Sequence, residues 1–217
     1  MSRPFKIKEV KLKIFLFEFK NNYDLCMYFL RYQEFYESPS SKFRGKSFTI
    51  FDFMKWYSLK YGNGAFTYPN DWDGFNLPSK IIYDVWNQRL IPDRNFYDFE
   101  MYSAWKECYE ITQGPFYIIG IVKGNTALSH EIAHALFYLN QEYKKEMKKL
   151  VSGLTPTIKK EIGTTLKRLG YASKVYIDEA QAYLSTGLTV SFGDPARWPK
   201  ERKLFEDVFK KFTEKTK

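Results

Sequence analysis

The 217 residues contain two histidines, and both fall in the pentapeptide HEIAH as His130 and His134, with Glu131 directly after the first. Residues four apart lie one above the other on the same face of an α-helix, so two imidazoles at this spacing can bind one zinc ion. Glu131 lies about 100° further round such a helix. From there it can hold a zinc-bound water and take its proton without being a ligand itself. The chemistry this predicts is metal-assisted hydrolysis, in which Zn2+ lowers the pKa of water to about 7 and polarises the scissile carbonyl.

Catalytic zinc usually takes three protein ligands plus water. With no further histidine in the chain, the third must be a carboxylate or a thiolate. Cys26 and Cys108 are isolated and lack CxxC spacing, which predicts small buried residues in a reducing setting. The stronger candidate is the segment SKVYIDEAQAYLSTG, where Ser173 can cap a short helix, Gly187 can end it, and Asp178 and Glu179 stand in its middle. Tyr176, Glu179 and Tyr183 would share one face of that helix, placing a carboxylate between two hydroxyls able to serve an oxyanion. Ile177, Ala180 and Leu184 would seat the other side on the core. Adjacent helical side chains diverge, so only one of Asp178 and Glu179 can face the metal. Glu179 has the longer reach, and Asp178 is then free to orient one of the imidazoles through its other ring nitrogen.

The residues His130, Glu131 and His134 in SHEIAHALF, with Glu179 in YIDEAQAYL, resemble the HExxH zincin metallopeptidases of the gluzincin type. The resemblance implies His130, His134 and Glu179 as ligands, Glu131 as general base and acid, and peptide or protein substrates. The interval from His134 to Glu179 is longer than in thermolysin-like enzymes, and Tyr183 stands where an Asp is common there. In this the chain is more similar to the compact minigluzincins. The similarity covers roughly 116–187.

These residues need elements to hold them. Asn125, Thr126 or Ser129 can cap the motif helix, and Leu128, Ile132, Ala135, Leu136 and Leu139 recur at helical spacing as a buried stripe. Lys144, Lys145, Lys148 and Lys149 then fall in its last turns, with Gly153 as a stop. Just upstream, Phe116–Val122 reads as a strand, whose exposed edge beside the metal could pair with an extended substrate. Elsewhere the patterning predicts a strand over Val10–Phe19, a short strand over Lys46–Ile50, and helices over Asp24–Glu37, Phe51–Tyr61, Ser79–Leu90, Phe96–Ile111 and Pro156–Leu169. The Gly, Asn, Asp and Pro of 63–78 predict turns, with Trp72 and Phe75 as the best candidates to line a substrate cleft. The fold expected is α+β and zincin-like, with a small, mostly antiparallel sheet and a largely helical C-terminal half carrying the HExxH helix. An aromatic-rich α/β N-terminal region, 1–78, would precede a zincin-like metal-binding region, 79–217, as two small lobes or as one continuous domain.

Composition sets further bounds. The N-terminal basic residues are followed by an apolar run that is too short for a signal peptide and is interrupted by Glu18; no stretch approaches a membrane span, so a cytoplasmic protein is expected. A net charge of +9 invites nucleic-acid binding, but the lysines are dispersed and, toward the C-terminus, mixed with acids. Weak, non-specific binding to nucleic acid is all this predicts. The alternative to a peptidase is a zincin-fold regulatory or nucleic-acid-associated protein that binds metal without hydrolysing anything. Retention of Glu131 favours the enzyme, because a purely structural site has no need of a base.

Overall fold

The computed structural model describes residues 3–72 and 74–214. The chain forms two compact units, Met1–Leu128 and Ser129–Lys217.

The N-terminal unit is built on four strands. β1 (Phe5–Lys11) and β2 (Ile14–Phe19) form an antiparallel hairpin. The single strand expected over Val10–Phe19 is thus two, because the chain reverses at Leu12–Lys13. Lys13 takes a left-handed φ of 64° there, and its N–H donates to Glu9 Oε1 at 2.8 Å. After α1 (Asn22–Glu37), α2 (Ile50–Lys60) and the short α3 (Tyr68–Asp71) comes β3 (Gly74–Pro78), in a stretch where turns alone were expected. Then follow α4 (Ser79–Asn87), α5 (Phe96–Thr112) and β4 (Tyr117–Val122). No strand forms at Lys46–Ile50, where the Thr49 side chain instead accepts the Asp52 N–H and caps α2.

The strand order β1-β2-β4-β3, with β2 and β4 parallel and the other pairs antiparallel, makes a mixed sheet. β4 is therefore interior, paired on both sides, and is not the exposed edge anticipated for it; among the described strands the edges are β1 and β3. Helix α1 lies on the sheet at Gly120, where an added Cβ would come within 2.4 Å of the Phe29 ring. Phe17, Phe19, Phe29, Phe53, Tyr68, Phe75 and Phe116 fill the core around this contact. Phe75 is thus a core residue rather than a cleft wall, whereas Trp72 is exposed. Cys26 and Cys108 are buried free thiols in the same core. β4 is hydrogen-bonded to β2, so residues 117–122 share a sheet with the N-terminal strands.

The C-terminal unit is helical. α6 (Leu128–Leu139) carries the HEIAH motif; α7 (Gln141–Gly153), α8 (Pro156–Arg168), α9 (Tyr176–Thr186) and α10 (Pro199–Glu214) follow. The long motif helix expected to run to Gly153 is broken at Asn140, whose side chain accepts the Tyr143 N–H at 3.0 Å and starts α7 as a separate helix. Helix α9 is central to the unit, packed by α7, α8 and α10. Its start is a 3-10 turn over Ser173–Val175 rather than a Ser173 cap, and Gly187, at φ 126°, ends it as anticipated. The fold class is α+β, mostly helical. No helix among the described residues is long and apolar enough to cross a membrane.

Candidate metal centre

Helix α6 places His130 and His134 one turn apart. Asn125 starts the approach by accepting the Ala127 N–H at 2.7 Å, just before the helix begins. The buried run from Ala133 to Phe137 includes Ala135 and Leu136 of the stripe expected, whose Leu128, Ile132 and Leu139 are half-buried, and His134 is 5 % exposed within the run. Its imidazole is therefore presented in a largely dry setting. Glu179 comes from α9, where Ala180 and Leu184 are buried as anticipated while Ile177 is largely exposed.

The three side chains converge. His130 Nε2 and His134 Nε2 are 3.1 Å apart, and Glu179 Oε2 lies 4.0 Å from the first and 3.8 Å from the second. These distances put the centre of the triangle roughly 2.1 Å from each atom, the length of a zinc bond to imidazole nitrogen or carboxylate oxygen. The hydrogen bonds on the far sides of the rings agree with that use. His134 Nδ1–H donates to Asp178 Oδ1 at 2.9 Å. Thr186 Oγ1 donates its own proton to Ala182 O at 2.7 Å, so it can accept from His130 Nδ1–H at 3.4 Å. With both Nδ1 atoms protonated and held, both Nε2 atoms turn toward the Glu179 carboxylate. His130, His134 and Glu179 thus form a group able to hold a metal ion. Asp178 takes the orienting position on His134.

Electrostatics point to one proton in the metal-free site. Burial, with His134 alongside, pushes the His130 imidazole down to about 3. Burial also acts to lower His134, but Glu179, Asp178 and Glu131 outweigh it and raise the group to about 10. A proton on His134 Nε2 can be given to the His130 Nε2 lone pair, and it occupies the place a cation would take. Glu131 is buried in the first turn of α6, and its charge is felt at His134, Tyr171 and Tyr183.

The tyrosines divide. The Tyr183 ring packs on His130 with centroids 4.6 Å apart, and its hydroxyl lies 3.3 Å from that of Tyr171. Burial raises both phenols, with Glu179 and Glu131 adding to the effect, so both remain neutral donors. Phe192 backs Tyr183 at 4.7 Å. Tyr176, expected on the metal face, instead lays its ring near Gly163 of α8. Tyr171 and Thr186 were not foreseen. Tyr171 belongs to the connection after α8, and nothing in its local sequence ties it to the motif; Thr186, seven residues beyond Glu179 on the same helix face, carried a signal that helical spacing could have used. Comparison with protein-family models, with curated proteins and with solved structures returns no match, so the assignment rests on the geometry of the site itself.

Proposed function

We propose that the chain is a zinc-dependent peptidase in which His130, His134 and Glu179 hold the metal and Glu131 is the general base. The convergence of two imidazole Nε2 atoms and a carboxylate oxygen carries this reading. The donor set of two His and one Glu suits zinc, and three protein ligands are what a catalytic rather than a structural zinc site uses. When bound, zinc supplies a Lewis acid that makes water more acidic and polarises a carbonyl.

The protein groups supply the rest. Glu131 takes a proton from the attacking water as its oxygen bonds to the carbonyl carbon. It then delivers that proton to the amine nitrogen as the C–N bond breaks. The neutral Tyr183 and Tyr171 hydroxyls are donors for negative charge developing on the carbonyl oxygen. Asp178 holds His134 in the tautomer that leaves Nε2 free for the metal.

The test is cleavage of a mixed peptide library by the full chain and by Glu131→Gln. The variant should keep its zinc and lose activity by about a hundred- to ten-thousandfold, the contribution of a general base. Equal cleavage by both proteins would remove Glu131 from the chemistry.

A further inference from the structure

Asp178 is poorly placed to fix an imidazole unaided. Its side chain is 32 % exposed, and a half-solvated carboxylate is free to swing toward water. The same oxygen that accepts from His134 also accepts from Gln181 Nε2, at 3.0 Å. Gln181 is fully buried, and its Nε2 donates a second time to the main-chain oxygen of Ala133, at 3.3 Å, on the motif helix itself. Its Oε1 accepts from the hydroxyl of Tyr143, also fully buried, at 2.7 Å. The amide orientation is thereby settled, since flipping it would set Oε1 against two acceptors.

We propose that Gln181 and Tyr143 are buried positioning residues of the metal centre, forming with Asp178 a chain Tyr143–Gln181–Asp178–His134 that sets the tilt of the His134 ring and ties α9 and α7 to the backbone of α6. The chain runs behind a ligand, away from the reacting atoms, and so acts on metal affinity. Both Gln181 side-chain polar atoms are satisfied, Nε2 by Asp178 Oδ1 and Ala133 O and Oε1 by the Tyr143 hydroxyl, and this gives the buried amide one arrangement rather than several. The inference rests on the metal reading of His130, His134 and Glu179 and is independent of the substrate.

Zinc affinity of the full metal-free chain, measured by competition with a chromophoric chelator, tests it. Gln181→Met keeps the side-chain length and removes the donors; affinity should fall about tenfold, as for other residues that orient a ligand. Tyr143→Phe, which preserves the ring, should lower affinity by about three- to tenfold, the worth of one hydrogen bond. It serves as the test if Gln181→Met fails to fold, with thermal unfolding of the metal-free proteins as the check. In an Asp178→Ala background, Gln181→Met should cost nothing further, because the carboxylate it holds is gone; a merely structural role would cost the same in both backgrounds. Affinities within twofold of the parent for both single variants, or an undiminished penalty in the Asp178→Ala background, would overturn the proposal. A parent chain that binds no zinc would overturn the metal centre itself, a result distinct from a parent that binds and variants that match it.

Discussion

Asp178 and Glu179 are chemically alike and adjacent, yet the structure gives them different tasks. Glu179 Oε2 faces both Nε2 atoms, while Asp178 Oδ1 is on the Nδ1 side of His134. Glu179→Ala should therefore sharply lower zinc occupancy, whereas Asp178→Asn should retain zinc and weaken binding by about ten- to a hundredfold. A parallel zinc titration in which Asp178→Asn proves the more damaging would exchange their roles. A pH effect follows from the proton on His134. The group rises from its ordinary 6.5 to about 10 in the metal-free protein, so that between those values the folded site holds a proton that zinc must displace. Apparent zinc affinity should then rise by about tenfold per pH unit from 7 to 9, and zinc should be lost on acidification. Titrations at pH 7, 8 and 9 that gave one affinity would contradict a proton held in the site.

Among the elements, what was legible in the sequence was whatever local pattern dictates. The helices over 79–87, 96–112 and 156–168 follow from their apolar periodicity and flanking turns, and the HEIAH spacing marked the motif helix. Harder to read were features that depend on partners. β3 lies in a stretch rich in turn formers and is a strand because β4 is beside it. The hairpin turn at Leu12–Lys13 contains no glycine and is held by the Glu9 side chain. The break at Asn140 replaces one long helix by two, because an asparagine offering its side chain to a backbone N–H competes with helix continuation. The convergence of His130, His134 and Glu179 was readable from spacing, whereas Tyr171 and the Tyr143–Gln181 link were not, since tertiary packing alone brings them in. One packing contact makes a direct test: Gly120→Ala puts a methyl into the Phe29 ring, and should cost about 1–3 kcal/mol in a denaturant titration. Unchanged stability would mean that α1 does not lie on β4 as described.

For the molecule as a whole, the candidate chemistry is confined to one of two units. Every member of the metal centre, together with the residues that orient it, falls within 129–217, while the N-terminal unit carries an aromatic core and two buried thiols. Burial pushes the Cys108 thiol up to about 12, and a thiol that resists ionisation is a poor ligand. The positive charge of the C-terminal segment is largely matched locally: Arg197 pairs with Glu161, Arg202 with Glu206, Lys203 with Asp207 and Lys211 with Glu146. What distinguishes the chain is therefore its inward-facing triad. The most direct measurement is elemental analysis of the purified, unchelated full chain beside His130→Ala and His134→Ala. The metal centre predicts about one zinc per parent chain and loss of that zinc in either variant, because two remaining ligands make a weak site. A parent chain free of zinc and unable to take it up, or variants that retain it fully, would contradict it.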